Sequence, residues 1–138
     1  MFSVIFPGQG SQLVGMGKDL HAKYSLVQDL FKEADDTLGF SLSNLILNGP
    51  KEELDLTENT QPAIFLLSYS IFKLIKEEFK IDLDKAKFYA GHSLGEYSAL
   101  TAAGSLSFSD KSNSSLGPFK IRFDSEKLSV SSASLNRS

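Results

Sequence analysis

The chain has 138 residues, a net charge of -3, 41% hydrophobic and 22% charged residues, no cysteine and two histidines. That length suits one domain with a real core, and the mild acidity gives no electrostatic case for nucleic acid or an anionic membrane. Disulfides, thiolate metal sites and a cysteine nucleophile are excluded, and no apolar run approaches the ~18 residues of a membrane span.

Met1 to Gln12 lacks the basic start of a signal peptide and reads as strand and loop, which makes the cytoplasm the default location, with an organelle the alternative if a transit peptide is missing. Phe2-Ser3-Val4-Ile5-Phe6 predicts a buried strand, because both of its faces are mostly apolar. Pro7-Gly8-Gln9-Gly10-Ser11-Gln12 follows. Glycines on either side of Gln9 permit a tight loop with exposed backbone amides. Taken alone it reads as a solvent turn, or as a backbone donor aimed at a ligand.

Met16 to Tyr24 predicts a short helix, on which His21 has no assigned role. Ser25 and Gln28 have capping-box spacing. Val27, Leu30, Phe31, Ala34 and Leu38 then recur at helical spacing until Gly39. A shorter helix over Phe40 to Leu47 stops at Asn48-Gly49-Pro50. Lys51 to Asn59 reads as a polar, acidic connection. Thr60-Gln61-Pro62 opens the longest helix, with proline tolerated in its first turn. Its stripe of Ile64, Leu67, Ile71, Leu74 and Ile75, widened by Phe65, Phe72 and Phe79, is core rather than a cofactor site. Gln61 near its start is either a cap or a pocket wall. Lys76 to Lys87 is charged and leads to a second strand at Phe88.

Gly91-His92-Ser93-Leu94-Gly95 fits G-x-S-x-G, the nucleophile elbow, in the strand–turn–helix setting that the motif requires. Ser93 at the tip of such a turn projects its hydroxyl away from the backbone. Gly91 and Gly95 let neighbouring backbone come close, and His92 completes the turn as a flanking residue. The following helix, running to about Ala103 before Gly104, turns its first amides and its positive end toward an oxyanion forming at the site. After Asp110 the composition changes. Lys111 to Ser138 holds nine serines in 28 residues and reads as a mostly disordered tail, with a short strand over Phe119 to Phe123.

Phe6 to Gln12 together with Gly91 to Tyr97 resembles the malonyl-CoA:acyl-carrier-protein transacylase family. Asn59-Thr60-Gln61-Pro62-Ala63 and Gly49-Pro50 through Glu53-Leu54 also fit its pattern, in the right order and spacing. The resemblance runs from Phe2 to about Asp110 and implies an α/β fold: an incomplete hydrolase-like parallel sheet with helices on both faces, lacking the family's small ferredoxin-like domain. The domain expectation is a partial acyltransferase over 1–110 and an unrelated tail over 111–138.

By resemblance, Ser93 is the nucleophile that takes malonyl from malonyl-CoA and passes it to the thiol of acyl carrier protein, in fatty acid biosynthesis. The backbone amides of Gln9 and Leu94 form the oxyanion hole. No bound cofactor or metal is implied; malonyl-CoA is substrate and acyl carrier protein the partner. The family's general-base histidine lies far downstream, and its malonate-binding arginine stands in an Arg-Gly pair after the elbow. Neither is found in this sequence: Arg122 comes too late and precedes Phe123. The chain by itself is therefore expected to be inactive. The other readings are a non-catalytic fragment that binds carrier protein or a partner chain, and a generic serine esterase.

Overall fold

The computed structural model describes residues 1–91, 94–102, 106–107 and 122–123. Strand β1 (Ser3–Phe6) is followed by helices α1 (Lys18–Lys23), α2 (Ser25–Leu38), α3 (Leu42–Asn48), α4 (Lys51–Leu54) and α5 (Thr57–Glu77). A 3-10 turn, Leu83–Lys85, leads into β2 (Phe88–Gly91), and α6 (Leu94–Ala102) comes next. β1 and β2 pair in parallel, with Ser3 opposite Phe88 and Phe6 opposite Gly91. Parallel neighbours need a long crossover, and the five helices supply it. Two short strands, β3 (Leu106–Ser107) and β4 (Arg122–Phe123), pair antiparallel; β4 falls in the run expected as a strand. The other tail residues, and Gly104, lie outside the described residues.

α5 is the centre of the packing. One flank joins Val27, Phe31 and Ala34 of α2 and Leu42 and Ile46 of α3, through Ala63, Phe65 and Leu66, in a single buried cluster. The other flank carries Phe72, which meets Phe6 of β1, Leu83 and Ala99 of α6 in a second cluster. The Phe72 ring centroid lies 6.1 Å from those of Phe6 and Tyr89, within the range of favourable aromatic pairs. The Tyr89 hydroxyl donates to the Leu83 carbonyl at 2.6 Å, tying β2 to the 3-10 turn. No helix among the described residues is long and apolar enough to cross a membrane.

Four local expectations are revised. Tyr24 closes α1 and starts α2 in extended geometry, so Ser25 is already helical and caps nothing. Gln28 instead donates its side-chain amide to the His21 carbonyl at 2.7 Å. The connection over Lys51 to Asn59 contains α4, and α5 begins at Thr57 rather than Thr60. Pro62 consequently sits buried inside α5, beyond its first turn. The Thr60 hydroxyl reaches back to the Leu54 carbonyl at 2.5 Å and pins the α4–α5 corner.

β1 is not buried on both faces. Val4 and Phe6 face the helices, whereas Ile5 is 76% exposed. Phe88, on the same outer face of the sheet, is 62% exposed. Among the described residues, α5 and α6 both pack on the Val4–Phe6 face, and the opposite face is bare.

Candidate active site

β1 delivers the chain into the Gly-Gln-Gly loop, and β2 delivers it toward α6. Phe6 and Gly91 are opposite one another in the sheet, so both exits leave from the same end. Only residues 92 and 93 separate β2 from α6. Gly95, in the first turn of α6, is buried directly beneath the end of β1. A Cβ on Gly95 would collide with the Phe6 carbonyl oxygen and come within 2.9 Å of that of Pro7. Leu94 opens the helix, so its N–H belongs to the first-turn amides that have no acceptor within the helix.

The loop is held from three sides. Gly10 has φ 106°, a conformation that suits glycine. Its N–H donates to Gln12 Oε1 at 2.8 Å, and the Ser11 hydroxyl donates to the Gly8 carbonyl at 2.8 Å. Gln12 Nε2 donates to Asp55 Oδ1 at 3.0 Å, just past α4. The Gln9 side chain reaches Thr57 Oγ1, at the start of α5, at 3.4 Å. The Gln9 backbone N–H has no hydrogen-bond partner among the described residues. Lys51 pairs with Asp55. The hydrogen bond from Lys51, and then that from Gln12, hold the Asp55 carboxyl below its ordinary pKa, so it stays a charged acceptor at neutral pH.

The structure thus sets Gly91 and the start of α6, at Leu94 and Gly95, beside the end of β1, from which Gln9 follows two residues after Pro7. Gln61 is half-buried one turn after Thr57 on α5 and does not line the apolar groove that runs beside the loop. Ser93 and His92 lie outside the described residues. Sequence reasoning passed over Asp55 and Thr57, which anchor the loop, and gave Gln12 no task. An apolar groove of about 470 Å³ runs between β1 and α5, past Ile64, Leu67, Ile71 and Phe72, and ends at Pro7 and Ser11 beside the loop.

Residues 3–115 match the acyl transferase domain family. The chain is 50% identical over 109 residues to the malonyl CoA-acyl carrier protein transacylase of Haemophilus influenzae, covering 79% of this chain and 34% of that protein. It is 53% identical over 106 residues to the Bacillus subtilis protein of the same name, covering 77% and 32%. Among solved structures, an acyl carrier protein S-malonyltransferase from Vibrio cholerae superposes with a TM-score of 0.73 at 44% identity, over 78% of this chain and 34% of that one. A malonyl-transacylase in complex with its type II polyketide acyl carrier protein gives the same score, identity and coverage. The chain spans about a third of the length of the curated relatives it matches. With both motif-bearing strands ending on the same side of a parallel pair and a family match over residues 3–115, the chain belongs to the acyl transferase domain family.

Proposed function

We propose that this chain carries the nucleophile and oxyanion-hole portion of a malonyl-CoA:acyl-carrier-protein transacylase. The supporting observation is the packing of Gly95 against the carbonyls of Phe6 and Pro7, which joins the Gly-Gln-Gly loop to the start of α6. Ser93 Oγ attacks the thioester carbonyl carbon of malonyl-CoA. Negative charge grows on the carbonyl oxygen, and the backbone amides of Gln9 and Leu94 receive it. The C–S bond breaks, and coenzyme A leaves as its thiol with the serine proton. The carrier protein's thiol then attacks the acyl-serine, the C–O bond breaks, and Ser93 recovers its proton. Gly91, His92 and Gly95 shape the turn, and Gln61, which does not line the apolar groove, would wall an acyl pocket that the rest of the domain completes. No bound cofactor takes part.

The base and the carboxylate-binding arginine come from the portion of the domain that this stretch does not span. A serine without its base loses roughly 10⁴ to 10⁶ in rate. The division between the family portion, 1–110, and the tail, 111–138, falls five residues inside the matched stretch, and the chain works in the cytoplasm.

The test is prolonged incubation of the purified chain with malonyl-CoA, followed by mass spectrometry. We expect slow malonylation of one residue, Ser93, lost in Ser93→Ala, and negligible transfer to acyl carrier protein. Labelling that persists in Ser93→Ala contradicts the reading. Hydrolysis of a simple acetate ester without malonylation favours a serine esterase. The apolar groove favours a second reading, in which the chain is a non-catalytic module that docks a partner chain or carrier protein.

A further inference from the structure

We propose that Ser11 and Gln12 are positioning residues that aim the Gln9 backbone N–H by clamping the two peptide groups on either side of the Gln9 Cα. This rests on the reading of that amide as an oxyanion donor.

A trans peptide is planar, and its C=O and N–H point in opposite directions. The Gly8 carbonyl and the Gln9 N–H share one such plane. The Ser11 hydroxyl holds the Gly8 oxygen at 2.8 Å, so the Gln9 N–H points the other way. The next plane contains the Gln9 carbonyl and the Gly10 N–H, and Gln12 Oε1 holds that N–H at 2.8 Å. With both planes fixed, the φ and ψ of Gln9 are fixed as well.

The clamp is also anchored outside the loop. Gln12 uses its carboxamide in both directions, accepting from Gly10 with Oε1 and donating to Asp55 with Nε2 at 3.0 Å. Asp55 is 43 residues away in sequence and follows α4 directly. Its charge strengthens the bond. Carbonyl and amide are both needed at residue 12, which leucine cannot supply. At residue 11 the need is a short hydroxyl that folds back three residues to Gly8. Oxyanion stabilisation depends on donors that are already in place when charge develops, and a loop with flanking glycines has no such order of its own.

The experiment uses the 138-residue chain labelled with ¹⁵N, with amide hydrogen exchange read at Gln9 and Gly10 and Ser93 acylation by malonyl-CoA followed by mass. Gln12→Leu and Asp55→Leu should each speed exchange at Gly10 about tenfold or more, with α5 amides unchanged. Gln12→Glu alone sets two carboxylates against each other and should do the same. Adding Asp55→Asn to it reverses the donor and acceptor and should restore the protection. Ser11→Ala should shift the Gln9 amide resonance, and Ser11→Thr should restore it. The saturating acylation rate should fall about tenfold in Gln12→Leu and Ser11→Ala, at an unchanged half-saturating malonyl-CoA concentration, because removing a whole oxyanion donor costs roughly 10²–10³. Gly10 exchange that is the same in Gln12→Leu, Asp55→Leu and the parent overturns the proposal. So does failure of both the carboxylate–amide swap and Ser11→Thr to restore the parent signals. A parent chain that is never acylated overturns the reading of Ser93 instead, and the exchange arm still decides the clamp.

Discussion

At Gly95 the helix backbone lies against strand backbone, with no flexible side chain between them to give way. A methyl group there meets the Phe6 carbonyl oxygen. Gly95→Ala should therefore lower the unfolding free energy by about 1–3 kcal/mol, the range for overpacking a tight site. Urea unfolding checks this, and an unchanged midpoint would mean that α6 can move off β1. The need for a small residue at 95 was legible in the pentapeptide, though the group it makes room for was not. Gln12 is the opposite case. Nothing local in Gly10-Ser11-Gln12 points to Asp55, because a side chain bonded across 43 residues leaves no periodic or capping signal.

Helix ends are where sequence and structure diverge, and each divergence has a cause. Ser25 has the spacing of a cap, yet Tyr24 already turns the chain between α1 and α2, so the capping geometry falls one residue early. Pro62 suggested a helix start, since proline suits a first turn. Tertiary bonds override that preference: Thr60 Oγ1 and Asn59 Nδ2 both return to the α4 carbonyls, at Leu54 and Glu53. α4 is a single turn, too short for a hydrophobic period to show. By contrast, Gly39 ends α2 in the left-handed conformation, with φ 77°, where a helix-ending glycine was expected.

The start of α3 is capped partly from another helix. Asp35 of α2 accepts from the Ser43 backbone N–H at 2.9 Å and from the Ser43 hydroxyl, while Ser41 caps locally through the Asn44 N–H at 3.3 Å. Asp35→Ala should cost about 1–2 kcal/mol, the size of a lost cap with a charged acceptor. Asp35→Asn, which keeps an acceptor oxygen, should cost less. Denaturant unfolding of the two variants makes the comparison, and equal losses would show that the charge rather than the hydrogen bond matters.

For the molecule as a whole, the parallel pairing of the two motif-bearing strands was legible, because the resemblance requires Gln9 to reach Ser93 and so both strands to end on the same side of the sheet. The bare outer face was not. Apolar residues at 2–6 predict burial, but burial needs something to pack against, and the described helices cover one face only. Ile5 and Phe88 stand exposed together on the other, in a chain that spans a third of its relatives' length. Such a face favours self-association. Light scattering should show the apparent mass rising with protein concentration, and Ile5→Lys combined with Phe88→Lys should suppress the rise without lowering the thermal midpoint. A chain that stays monomeric throughout would mean that this face needs no cover.

What remains to be measured is the capacity of this stretch to supply a working nucleophile and oxyanion loop. Its most direct test is a chimera in which residues 1–109 replace the matching stretch of the Haemophilus influenzae transacylase, assayed for malonyl transfer from malonyl-CoA to acyl carrier protein. Transfer by the chimera is expected, with Ser93→Ala reducing it to background. A folded chimera that leaves the carrier protein unmalonylated, or one whose transfer survives Ser93→Ala, would contradict it.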